Sequence, residues 1–352
     1  MTENKIRILI AEDSDVVALL LRAIFEREPD FQIVGRARDG REAVRLNAEL
    51  KPDLVTMDIR MPEMDGFEAT RLIMATRPAP IVVISSSVDD EELKTTFRAI
   101  EEGALAVLEK PHGFNHPQFE SARRQIVETV RAMAEVKVIR RARPAPSAEI
   151  NLFETAIVQH AQAQELVAIG CSTGGPAALQ IVLSTLPLKF PIPIVIVQHI
   201  SKGFLGGLIT WLAGNTLLKV RVAAEGEPFL PGTVYFAPDD RHLLVARRDG
   251  VLIARLDDGP PANGFRPSAT PLMKSVAATC KGRAIGAILT GMGVDGAEGL
   301  LAMKNAGAAT LVQDEQSSVV FGMPGAALAL GAADQVVQLD KMTAYLLALA
   351  RR

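Results

Sequence analysis

Glu165-Leu166-Val167-Ala168-Ile169-Gly170-Cys171-Ser172-Thr173-Gly174-Gly175 is a short apolar run that empties into a glycine-framed serine. Two later runs have the same construction. Ile192–Val197 leads into Gln198-His199, and Ala284–Leu289 leads into Thr290-Gly291-Met292-Gly293-Val294-Asp295-Gly296. Apolar runs of this length, each followed by glycine and then a helix-like segment, read as buried strands of a parallel α/β sheet. Loops leaving the carboxyl ends of such strands share one rim, where ligands bind. A hydroxyl, an imidazole and a carboxylate delivered to that rim have the chemistry of a nucleophile, a base and its orienter.

Working outward, the chain has 352 residues, more than one typical core accommodates, and this predicts two domains. It is 48% apolar and 22% charged with a net charge of -3, the profile of an ordinary globular protein with no charge-based case for nucleic acid. Two cysteines, Cys171 and Cys280, cannot make a disulfide framework and fit a reducing compartment. No signal-peptide pattern precedes the first strand-like segment, and no apolar run approaches the roughly 20 residues of a membrane span, so membrane insertion is not expected. The expectation is a cytoplasmic protein.

The first part of the chain alternates strand and helix patterns. Strands are predicted at Arg7–Ala11, Phe31–Ala37, Leu54–Met57, Ile81–Ile84 and Ala106–Leu108. Helices are predicted at Val16–Arg27, Glu42–Leu50, Gly66–Ala75 and Asp90–Glu101, with a long one from about Pro117 into Lys137. Such alternation predicts βα units around a parallel sheet. Arg140-Arg141-Ala142-Arg143-Pro144-Ala145-Pro146-Ser147 and the polar stretch after it lack periodicity and read as a solvated linker. The predicted organisation is a domain over residues 5–130, a linker over 131–164 and a second α/β domain over 165–350, ending in an amphipathic helix at Lys341–Ala350.

Two strand ends of the first domain carry acids: Glu12 and Asp13 after the first strand, and Asp58 after the third. Clustered carboxylates call for a hard cation, and oxygen ligands with room for water and phosphate suit Mg²⁺. Ser85 closes the fourth strand and Lys110-Pro111 the fifth, a hydroxyl and an ammonium able to hold a transferred phosphoryl group. With Ala11-Glu12-Asp13-Ser14, Met57-Asp58-Ile59-Arg60-Met61-Pro62, Ile84-Ser85-Ser86 and Glu109-Lys110-Pro111, this region resembles a response-regulator receiver, a flavodoxin-like (βα)5 domain. The resemblance implies that Asp58 accepts phosphate from a histidine kinase. It implies further that Glu12, Asp13 and Asp58 hold Mg²⁺, and that Ser85 and Lys110 sense the phosphoryl group. Val107 stands where receivers often carry an aromatic switch residue.

In the second domain, Gly170-Cys171-Ser172-Thr173-Gly174 fits G-x-S-x-G between a strand and a helix predicted at Pro176–Leu186. A glycine-rich phosphate cradle is the alternative reading of that turn. Only His199 and His242 follow Ser172, and no carboxylate lies between His199 and the serine, so the order is not that of α/β-hydrolases. Asp295 is the later acid in a glycine-rich strand-end loop, and the glycine spacing centres on Ser172 rather than Cys171.

These residues, together with Phe236-Ala237-Pro238-Asp239-Asp240-Arg241-His242, Asp258-Gly259-Pro260-Pro261, Arg266-Pro267-Ser268 and Val320-Phe321-Gly322-Met323-Pro324, resemble the catalytic domain of CheB-type chemotaxis receptor methylesterases. Val294 and Ala269-Thr270-Pro271 depart from the usual pattern. The resemblance implies a parallel-sheet α/β esterase with Ser172 as nucleophile, His199 as base and Asp295 as orienter. Thr173 and the backbone around Met292 would lie at the active site, the latter as an oxyanion donor. It also implies hydrolysis of glutamate γ-methyl esters on methyl-accepting chemoreceptors, glutamine deamidation by the same route, and activation by phosphorylation. No cofactor is implied for ester hydrolysis.

Overall fold

The structure, a computed structural model, describes residues 5–86, 97–111, 113–117, 119–136 and 163–351. The chain divides into two compact units, residues 1–144 and 145–352. Most of the linker expected at 131–164, its basic run and the first part of the helix expected at Asp90–Glu101 lie outside the described residues; residues 97–101 are helical.

In the first unit, β1 (Ile6–Ala11), β2 (Phe31–Ala37), β3 (Leu54–Met57), β4 (Ile81–Ser85) and β5 (Ala106–Glu109) form a parallel sheet of order β2-β1-β3-β4-β5. β3 and β4 are buried at every residue, as a strand covered on both faces must be. Helices α1 (Asp15–Phe25), α2 (Gly40–Leu50) and α3 (Gly66–Thr76) start where the side chains of Ser14, Asp39 and Asp65 accept from backbone N–H groups of the first turn. Helix α4 covers Phe119–Ala134. The strand order reverses between β1 and β3, and there the loops bearing Glu12, Asp13 and Asp58 open onto one crevice.

The second unit contains a seven-stranded parallel sheet. Its strands are β6 (Leu166–Cys171), β7 (Ile194–Gln198), β8 (Lys219–Val222), β9 (Thr233–Phe236), β12 (Ala284–Ile288), β13 (Ala309–Gln313) and β14 (Gln335–Val337), in the order β14-β13-β12-β6-β7-β9-β8. β7 begins two residues later than the apolar run suggested, because Pro193 has no N–H for the ladder; its carbonyl still accepts from Val167 N at 2.9 Å. Helices α5 (Gly175–Ser184), α6 (Leu205–Asn215) and α10 (Leu339–Ala350) pack together, as do α7 (Ala269–Cys280), α8 (Ala297–Asn305) and α9 (Gly322–Ala329). One feature was not legible as a unit: β10 (His242–Arg248) and β11 (Val251–Asp257) pair as an antiparallel hairpin packed against α7. The sheet order reverses between β6 and β12, the strands that precede Ser172 and Asp295. Among the described residues no helix is long and apolar enough to cross a membrane.

Candidate active site and phosphoacceptor site

Ser172 lies directly after β6 and its N–H donates to Thr290 O, beyond β12, at 3.0 Å. The two loops meet at Gly291: a Cβ there would stand 2.8 Å from Ser172 Cβ and 2.4 Å from Met323 Sδ, so only glycine permits the approach. His199 follows β7, and its N–H donates to Cys171 O at 3.0 Å. The imidazole Nε2 lies 2.9 Å from Asp295 Oδ2. An ionised carboxylate can only accept, so Nε2 carries the proton and Nδ1 keeps its lone pair. Nδ1 is buried and, among the described residues, has no partner; Ser172 Oγ has none there either. The nitrogen left to receive a proton is therefore Nδ1, on the opposite side of the ring from Asp295.

Asp295 is fully buried yet holds its charge. It sits at the N-terminus of α7, where the N–H groups of Ala269 (2.7 Å) and Thr270 (3.1 Å) point at it. The hydroxyls of Ser268 (2.6 Å) and Thr270 (2.8 Å), Gly296 N–H (2.9 Å) and Asn263 Nδ2 (3.3 Å) complete the cradle. Burial alone would raise the carboxyl, but the bonds from His199, Ser268 and Ala269 outweigh it and hold the group well below the usual carboxylate range.

Several contributors were not legible in the sequence. Gln198 is buried, and its Nε2 donates to Ser172 O at 2.9 Å and His199 O at 2.7 Å, tying the Ser172 turn to the His199 turn. Its Oε1 accepts from Cys171 Sγ at 3.1 Å, and Cys171 is buried beneath the turn. His242 has both ring nitrogens engaged, Nδ1 accepting from Ser268 N–H (3.2 Å) and Nε2 donating to Pro260 O (3.0 Å), so it pins the loop that carries Ser268. Phe265, in that loop, stacks on His199 with ring centroids 3.9 Å apart. The cue for this loop was Asn263-Gly264, whose flanking residues Ala262 and Phe265 exchange both backbone hydrogen bonds across a tight turn. Asn263 and Gly264 adopt φ of 52° and 82°, the left-handed conformation such a turn demands. Thr173 and Met292 are partly exposed, and their backbone N–H groups have no partner among the described residues.

In the first unit, carboxylate oxygens of Glu12, Asp13 and Asp58 lie within 4.8 Å of one another. Lys110 Nζ stands 2.8 Å from Asp58 and 2.9 Å from Glu12. Burial and the neighbouring Asp58 push the Glu12 carboxyl up to about 7; burial also raises Asp58, against the pull of Lys110. Three carboxylates facing one ammonium leave an excess of negative charge in a crevice of hard oxygen donors, which fits a divalent cation. Ser85 is buried beside them, its carbonyl accepting from Lys110 N–H at 2.9 Å. Arg36, which no sequence signal marks, donates to Glu12 O (3.1 Å) and Asp13 O (2.9 Å) and so holds the acidic turn in place.

The pattern described as CheB methylesterase matches residues 167–346, slightly more than half of the chain, and the response regulator receiver domain pattern matches residues 8–118. The chain belongs to the CheB methylesterase family. Relatives align along nearly their whole lengths. A Geobacter metallireducens protein named protein-glutamate methylesterase/protein-glutamine glutaminase 4 is 46% identical over 98% of this chain and 99% of its own. A Myxococcus xanthus protein of the same name is 47% identical over 98% and 97%. The crystal structure of the Thermotoga maritima CheB methylesterase catalytic domain aligns with a TM-score of 0.52 and 38% identity, covering 53% of this chain and all of that one. The fold is accordingly a flavodoxin-like receiver followed by a parallel-sheet CheB catalytic domain.

Proposed function

We propose that this chain hydrolyses glutamate γ-methyl esters on methyl-accepting chemoreceptors and deamidates receptor glutamines, with Ser172, His199 and Asp295 as its triad. The observation that carries the reading is the buried Nδ1, without a partner among the described residues, of an imidazole whose other nitrogen is bound to an ionised carboxylate. Ser172 Oγ attacks the ester carbonyl while its proton passes to His199 Nδ1. Met292 N–H and Thr173 N–H, both without partners among the described residues, are the candidate oxyanion donors. As the intermediate collapses, Nδ1 returns the proton to the departing methoxide, giving methanol. Water then repeats the sequence on the acyl-enzyme and releases the glutamate carboxylate; with an amide substrate, ammonia leaves instead. Methanol release from methylated receptor membranes tests the reading, and an inactive wild-type chain rejects it.

Regulation by phosphorylation belongs to the same proposal. Glu12, Asp13 and Asp58 would hold Mg²⁺, which supplies charge neutralisation for an incoming phosphoryl group. Asp58 accepts that group from a histidine kinase, and Lys110 and Ser85 hold its oxygens. Acetyl phosphate with Mg²⁺ therefore raises methanol release, and Asp58→Asn removes the rise while keeping the basal rate. An unaltered response in that variant places the phosphoacceptor elsewhere.

Gln198→Glu preserves size but sets an acceptor against the carbonyls of Ser172 and His199. Displacement of the two turns lowers kcat by about 10²-fold with little change in KM. A variant that folds and retains wild-type kcat shows that the amide bridge is dispensable.

A further inference from the structure

We propose that Phe265 is a positioning residue that speeds the reaction by stacking on His199 most favourably when the imidazole is protonated. The inference rests on His199 being the general base and assigns a role to a residue outside the triad. The ring centroids are 3.9 Å apart and the planes only 9° from parallel.

The stack has a geometric consequence. The Nε2–H bond to Asp295 holds one edge of the imidazole but leaves the ring free to librate about that bond. A phenyl face laid against the ring removes this freedom and aims the Nδ1 lone pair.

It also has an electrostatic consequence. Neutral aromatic pairs favour offset or edge-to-face contacts over a close face-to-face arrangement. A cation over a ring face is attracted by the ring quadrupole. His199 becomes a cation only when the Ser172 proton has moved to Nδ1, so the attraction grows along the reaction coordinate. Interactions that strengthen towards the transition state raise kcat rather than lower KM. Asp295 stabilises the same charge from the ring edge, and Phe265 does so from the face.

The placement is built into the loop. Phe265 leaves the Asn263-Gly264 turn, Asn263 reaches Asp295, and His242 fixes the loop at Pro260 and Ser268. Phe265 is 39% exposed as a residue, so it is poorly placed to serve the hydrophobic core.

The test replaces Phe265 in the full-length chain with phenylalanines bearing one, two and three ring fluorines, and follows methanol release from methylated receptor membranes. Fluorine leaves the ring shape nearly constant and drains electron density from its face. Across the series kcat falls stepwise, by about five- to thirtyfold in total, with KM and the thermal midpoint unchanged. Phe265→Leu shows a comparable loss, and Phe265→Tyr recovers most of it. A flat fluorine series overturns the proposal: with Phe265→Leu impaired the ring is only a cover, and with Phe265→Leu normal it has no part in the reaction. His199→Ala run in parallel separates the two levels. An active His199→Ala enzyme refutes the base assignment itself, whereas an inactive one beside a flat series refutes only the role of Phe265.

Discussion

Ser172→Ala lowers methanol release by at least about 10⁴-fold, and His199→Ala does so by a similar factor, because nucleophile and base act as one unit. Without the hydroxyl there is no acyl-enzyme, and without Nδ1 the hydroxyl has no acceptor for its proton. Cys171→Ala, one residue away, retains most of the activity. That thiol is fully buried beneath the turn, and burial pushes it well above the ordinary cysteine range, so no thiolate is available to attack. His242→Ala loses less than His199→Ala, since its two nitrogens serve the loop and not the nucleophile. Methanol assays on variants with wild-type circular dichroism decide the matter. An inactive Cys171→Ala with an active Ser172→Ala reverses the nucleophile assignment, and loss confined to His242→Ala transfers the base role.

Asp295→Asn costs about 10³- to 10⁴-fold in kcat, with a measurable loss of stability. The catalytic part arises because an amide no longer enforces the Nε2–H form of His199 or supports its charge. The stability part arises because the new NH2, itself a donor, meets a cradle of donors arranged for a carboxylate, leaving buried groups mismatched. The pH dependence has a definite sign. A carboxyl held in the fold below its unfolded value of 3.8 contributes stability above that value and loses it as pH falls through the folded one. Thermal melts of the wild type therefore decline more steeply on acidification below about pH 4 than those of Asp295→Asn. Parallel acid profiles would show that the Asp295 charge contributes nothing to folding.

The legibility of this site follows from how local each signal is. Ser172 is announced by its own neighbours, a buried strand before it and glycines around it. Asp58 and Lys110 likewise sit at strand ends that apolar patterning marks. Phe265, Gln198 and Arg36 have no such signal: an aromatic in a loop, an amide closing β7 and an arginine next to last in β2 are ordinary surface readings. The hairpin of β10 and β11 escapes the same reading, because Val251–Asp257 carries two charges, Arg255 and Asp257, that mask its alternation.

By itself the sequence determined two α/β units, the strands of the first, the three site-bearing strands of the second, and the residue types delivered to each rim, because apolar periodicity and glycine spacing are properties of short segments. The tertiary structure alone decided that β6 and β12 lie side by side and that Nε2 of His199, not Nδ1, faces Asp295. It also decided that Asn263, Ser268 and Thr270 converge on that carboxylate. The contacts to Asp295 alone join residues 25 to 96 positions apart. They depend on sheet order and on packing of α7 against the sheet, which no local window of sequence contains.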